Sequence, residues 1–89
     1  MRVEKEHLLK DELRLLAIKT RYELGITQKE MSKLLSMAEG SYSDIESGEY
    51  MCGTLTAILL ISMQKDPSSF LEYIKVKFSE QYERAMRSV

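Results

Sequence analysis

A chain of 89 residues with 44% hydrophobic content can form one modest core and is too short for two domain cores. Thirteen basic residues against fourteen acidic ones exclude a polycationic protein that binds nucleic acid by counterion release alone. One cysteine excludes an internal disulfide, which a small secreted domain would need, and one proline and four glycines are too few for the turns of an all-β domain. We therefore expect an all-α cytoplasmic domain.

The first predicted helix ends at Gly25, because residues suited to a core recur before it at spacings of three and four. They are Leu8, Leu9, Leu13, Leu16, Ala17, Thr20 and Leu24. Thr27 and Glu30 then have the spacing of a capping box, which predicts the start of a second helix. Its apolar residues are Met31, Leu34 and Leu35, and we expect it to end near Ser36 and Met37.

A third helix is predicted from Ala38 or Glu39 to Glu46, with Tyr42 and Ile45 facing inward and Gly48 as its stop. Ser36 and Glu39 offer a second capping box, which would start this helix earlier.

Two more helices complete the prediction of five. Thr54 is the expected N-cap of the fourth, with Leu55, Ile58, Leu59 and Met63 on its inner face. Its apolar run is far below the roughly 20 residues of a membrane span, so we expect no membrane association. Asp66 and Pro67 have the form of an N-cap and first residue of a fifth helix, which should reach almost to the C-terminus.

Residues Leu13 to Met63 resemble the Cro/C1-type, or XRE, family of helix-turn-helix regulators. The match lies in the order and spacing of Arg21, Gly25, Thr27, Gln28, Met31, Ser32, Ile45, Glu46 and Gly48. The resemblance implies a lambda-repressor-like helix-turn-helix domain over residues 1–66. It also implies that the fifth helix, residues 67–89, is an addition, to which we assign dimerisation.

The resemblance further implies an ion pair between Arg21 and Glu46, partly buried where the first and third helices meet. It assigns contacts with double-stranded DNA to the second and third helices. The residues implied are Thr27, Gln28, Lys29, Glu39, Gly40, Ser41, Ser43 and Asp44. For Thr27 a purely capping role remains an alternative.

The third helix departs from a simple DNA-binding pattern, since residues 36–49 hold four acidic residues and no basic one. Serine, Glu and Asp side chains can still bond to base edges. Attraction to phosphate would have to come from Lys19, Lys29 and Lys33, or from two subunits together. Two hypotheses follow: a sequence-specific regulator that binds DNA as a homodimer, or a helix-turn-helix fold that binds a protein partner.

The fifth helix carries large apolar residues every four positions, more than one small unit can cover. We expect a homodimer interface formed by Leu60, Ile61, Phe70, Ile74, Phe78 and Tyr82. The alternative is that the first half of the fifth helix packs on the core of its own chain and the rest is solvated. No nucleophile motif, phosphate-binding glycine loop or metal-ligand spacing is present, so we expect no enzymatic activity, metal or cofactor. The single histidine, His7, is interpreted as a surface helix residue.

Overall fold

The computed structural model describes residues 3–87, with the side chains from residue 8 onward except those of residues 81 and 85. Within this range the chain is all-helical, as predicted. Five helices follow in order, α1 (Val3–Leu24), α2 (Gln28–Leu34), α3 (Glu39–Ser47), α4 (Thr54–Ser62) and α5 (Pro67–Arg87). None of these helices has the length and apolarity to cross a membrane. Residues 1, 2, 88 and 89 of the predicted segments, and the side chain of His7, lie outside the described residues.

The connection from α1 to α2 has the predicted form. Gly25 adopts the left-handed conformation at φ 68° and ends α1. The Glu30 amide donates to Thr27 Oγ1 at 3.1 Å, while the Thr27 amide donates to Glu30 Oε1 at 2.9 Å. The capping box is therefore confirmed, and it starts α2 where the sequence predicted.

The connection from α2 to α3 differs from the prediction. Helix α2 ends at Leu34 rather than near Met37, and Leu34 is exposed. Ser36 has a φ of 56°, so it takes the left-handed conformation that favours glycine. Helix α3 starts after Ala38, whose side chain forms no cap, so the alternative capping box of Ser36 and Glu39 does not form. Gly48, with a φ of 86°, ends α3 as predicted.

The core lies between α1, α3 and α4 and is closed by α2. Its buried hydrophobic residues are Leu13, Leu16, Ala17, Met31, Leu35, Tyr42, Ile45, Cys52 and Leu60. Leu24, at the end of α1, was expected to join them but is exposed. Thr20 is buried, and its hydroxyl both donates to the Leu16 carbonyl at 2.7 Å and accepts from Gln64 Nε2 at 2.9 Å. This polar link ties α1 to the segment after α4.

Helix α4 is oriented opposite to the prediction. Leu60 has no exposed surface, whereas Leu55, Ile58 and Leu59 are 78%, 57% and 42% exposed. The predicted inner face is therefore wrong, apart from the half-buried Met63. Large apolar residues lie on more than one side of the helix, and Thr54, Thr56 and Ser62 do not mark a single polar face, so its sequence carries no clear signal that selects the face for the core. Gly53, rather than Thr54, is its N-cap.

Helix α5 starts as predicted, because both carboxylate oxygens of Asp66 accept hydrogen bonds from Ser69. Phe70 packs against the core, and the Tyr73 hydroxyl donates to Glu12 on α1 at 2.9 Å. Beyond these contacts the helix becomes exposed, and Phe78 and Tyr82 stack on each other with their rings 6.5 Å apart.

Candidate nucleic-acid interface

An ion pair joins the end of α1 to the end of α3. Arg21 Nε donates to Glu46 Oε2 at 2.6 Å, and Arg21 Nη2 donates to Glu46 Oε1 at 3.1 Å. The two side chains are only 15% and 8% exposed, so the predicted, partly buried pair is confirmed. Arg21 Nη1 also donates to the Ile26 carbonyl at 3.1 Å, which fixes the link between α1 and α2 to the same pair.

Two further donors reach the Glu46 carboxylate, and the sequence analysis predicted neither. Gln28 Nε2, in the first turn of α2, donates to Glu46 Oε1 at 2.9 Å. The Tyr42 hydroxyl donates to Glu46 Oε2 and lies 3.3 Å from the Ala17 carbonyl. The four-residue spacing of Tyr42 and Glu46 within α3 was a signal for this bond. The Gln28 contact depends on how α2 packs against α3, which no local spacing encodes.

The electrostatics of this group favour the ionised pair. Burial raises the pKa of the Glu46 carboxyl, but the hydrogen bonds from Arg21, Tyr42 and Gln28 outweigh burial and hold that pKa below its ordinary value of 4.5. The hydrogen bond to Glu46 raises the pKa of Arg21. Burial and the same carboxylate raise the pKa of the Tyr42 phenol. Glu46 is thus neutralised by Arg21 at neutral pH, and it adds no net charge to the surface of α3.

The other face of α3 points away from the core. Tyr42 and Ile45 are buried, as predicted, while Glu39, Gly40 and Ser41 are exposed. Ser43 and Asp44 are half-buried at the sides of the helix. The five residues expected to face DNA therefore lie at positions that solvent reaches, three of them exposed and two half-buried.

The predicted contact residues of α2 have different environments. Thr27 and Lys29 are exposed, and the Thr27 hydroxyl already serves the capping box. Gln28 is half-buried with its amide on Glu46, so the structure unites it with the ion pair as well as with the start of α2. Of the three lysines expected to attract phosphate, Lys29 and Lys33 are exposed on α2. Lys19 pairs with Glu23 on α1 at 3.2 Å.

The expected dimer residues differ in how far the chain itself buries them. The prediction that Leu60 lies in a dimer interface is wrong, because the core of its own chain buries it completely. Ile61 and Phe70 are partly buried against that core. Ile74 is half-buried, and only Phe78 and Tyr82 are largely exposed.

Comparisons with known proteins found no match for this chain among family models, curated proteins or solved structures. In the described part of the chain, no three His, Cys, Asp or Glu side chains group as metal ligands would.

Proposed function

We propose that this protein is a sequence-specific DNA-binding regulator of the Cro/C1 type that acts as a homodimer. In this proposal α2 and α3 form the helix-turn-helix unit, and α3 enters the major groove. Gly40 and Ser41 would lie closest to the bases, with Glu39, Ser43 and Asp44 beside them.

The observation that carries the proposal is the four-residue group around the Glu46 carboxylate. Arg21, Gln28 and Tyr42 all donate to it, so α1, α2 and α3 are fixed to one another at a single point. A helix that must insert into a groove needs such fixing, because a loose recognition element loses both register and affinity. Small side chains at Gly40 and Ser41 allow the helix backbone to approach the base edges closely.

Phosphate attraction in this proposal depends on Lys29 and Lys33. Both are exposed on α2, whereas residues 34–64 contain no basic residue. We therefore expect modest affinity for a single subunit and a requirement for two subunits on one duplex.

Fluorescence anisotropy with a labelled duplex, titrated over a series of salt concentrations, tests the proposal. Binding should weaken steeply with salt, and Lys33→Gln should reduce the slope of log affinity against log salt by about 1. Ser41→Glu should abolish binding, because it adds a third carboxylate to Glu39 and Asp44 and puts a larger side chain where α3 would lie closest to the bases. Ser79→Glu, at an exposed site on α5, is the matched control and should bind normally. The proposal fails if the wild-type protein binds neither random nor genomic duplex DNA at low salt.

A second candidate function is recognition of a protein partner by the same face of α3. The observation that favours it is charge: Glu39, Asp44 and Glu49 stand on or beside α3 with no basic residue among them. Such a surface fits a cationic protein better than a phosphate backbone. This candidate predicts no salt-dependent DNA binding, so the same titration separates the two functions.

A further inference from the structure

The outer face of α4 is apolar and uncovered within the described chain. Leu55, Ile58 and Leu59 follow the three- and four-residue spacing of one helix face, and they are 78%, 57% and 42% exposed. The opposite side of the helix holds Leu60, which is fully buried. The polar residues of α4 are Thr54, Thr56 and Ser62, which are uncharged, and the Ser62 hydroxyl on the outer face is satisfied by the Leu59 carbonyl at 2.7 Å. The rest of the helix is apolar, which is the composition of a more enclosed helix than the described chain provides.

No charge interrupts this surface. Residues 50–64 contain neither an acidic nor a basic side chain. Tyr50 and Met51, in the segment that leads into α4, add two more exposed apolar side chains. The exposed apolar residues of α5 are different, because Lys75, Lys77, Glu80 and Glu83 lie among them.

We infer that the outer face of α4, defined by Leu55, Ile58 and Leu59, is the contact surface between two copies of this chain. The inference deepens the proposed function. It rests on that function only for the role of the dimer in binding DNA. It moves the subunit contact from α5, where the sequence analysis placed it, to α4.

Charge identifies a second copy as the occupant. An uncharged surface can meet itself across a two-fold axis without setting like charges against each other. Charges at the two ends do not oppose this contact: exposed Glu49 precedes the uncharged stretch, and exposed Lys65 and Asp66, of opposite sign to each other, follow it. When two α4 helices cross in opposite directions, Glu49 of one copy faces a flank of the other copy that carries no net charge.

The area of the surface fits a weak, reversible dimer. The three side chains on the outer face present on the order of 300 Å², the lower end for the largest apolar patch of a monomer. Tyr50 and Met51 bring the total to about 600 Å², against about 800 Å² per partner in a standard interface. We therefore expect dissociation in the micromolar range, with the dimer favoured when two subunits occupy adjacent half-sites.

Sedimentation velocity of the full chain without DNA tests the inference. The wild-type sedimentation coefficient should rise with concentration across the micromolar range. Ile58→Glu should weaken dimerisation by more than about tenfold, because it buries a carboxylate in the contact. Leu55→Glu should do the same, and its 78% exposure leaves the fold little reason to change. Val76→Glu on α5 is the matched control, since Val76 is 54% exposed against 57% for Ile58.

Three results would overturn the inference. They are a wild-type protein that stays monomeric at every concentration, an Ile58→Glu variant that is folded and dimerises like wild type, and loss of the dimer in Phe78→Glu but not in Ile58→Glu. Because no DNA is present, these results are independent of whether the protein binds DNA. A dimer formed through α4 that binds no duplex would contradict only the regulator function.

Discussion

Glu46 is the residue on which three helices converge, and its ionisation should be visible in the stability of the whole chain. Its pKa in the folded protein lies below its ordinary value of 4.5. A carboxyl with a depressed pKa contributes stability above its unfolded pKa, and the contribution disappears as the pH falls through the folded value. We expect the contribution of Glu46 to the free energy of unfolding to be constant above about pH 5 and to fall below about pH 4.5.

The variant Glu46→Gln isolates this contribution. It should lower the free energy of unfolding by about 3 kcal/mol at neutral pH, because the partly buried Arg21 loses its counter-charge. The difference from wild type should narrow in acid, where the wild-type carboxyl is protonated. Urea denaturation from about pH 3 to pH 7 measures both effects. Glu80→Gln, at an exposed glutamate on α5, is the control and should shift stability by less than about 0.5 kcal/mol. A constant difference across this range would contradict the assignment.

Ser36 has the left-handed backbone conformation that a residue with a side chain rarely adopts. Its φ of 56° costs a non-glycine residue roughly 1–2 kcal/mol. Glycine would remove this strain, but part of the gain is offset because glycine has more conformational freedom in the unfolded chain. Ser36→Gly should therefore raise the free energy of unfolding by about 0.5 to 1 kcal/mol in thermal or urea denaturation. The reverse change, Gly25→Ala, should lower it by a similar amount, since a Cβ at Gly25 meets no atom within 4 Å and only the backbone is strained. A destabilised Ser36→Gly would show that the serine side chain has a structural role.

At the scale of the helices, α4 offers the sharpest contrast between adjacent residues. Leu60 has no exposed surface and Leu59 is 42% exposed. Leu60→Ala should cost about 3 kcal/mol through lost burial and the cavity that it leaves. Leu59→Ala should cost less than about 1 kcal/mol, measured at concentrations where the chain is monomeric. Equal losses at the two positions would mean that α4 does not bury Leu60 in preference to Leu59.

The start and end of several helices could be predicted from sequence, but the orientation of α4 could not. The capping box of Thr27 and Glu30, the stop at Gly48 and the start of α5 at Asp66 were predicted correctly, because a few neighbouring residues determine each of them. The face of α4 was predicted incorrectly, because an apolar helix has no polar side to orient it. The orientation of α4 is set by its packing against α1 and α5, which lie far from it in the sequence.

Some features of the candidate interface were likewise predicted from sequence and others were missed. The Arg21–Glu46 pair followed from the resemblance to a known family, and the burial of Tyr42 and Ile45 followed from their spacing. The bond from Gln28 to Glu46 was missed, since residues 18 positions apart meet only after α2 has packed against α3. The left-handed backbone at Ser36 was also missed, because a serine gives no sign of a positive φ that glycine would have signalled.

For the molecule as a whole, the division into residues 1–66 and 67–89 describes two contributions to one core. Phe70 packs against the core, and Tyr73 bonds to Glu12 on α1. The first two turns of α5 are thus part of the folded unit, and only its later turns, with Phe78 and Tyr82, extend from it.

The single cysteine provides a reporter of how often this molecule opens. Cys52 is 7% exposed in the segment before α4, and burial raises the pKa of its thiol. A soluble thiol reagent should therefore react only when that segment detaches from the core. Its labelling rate relative to that of the urea-unfolded chain gives the opening equilibrium, with about 1.4 kcal/mol for each tenfold of protection. Labelling as fast as that of the unfolded chain would show that the thiol is not shielded in solution.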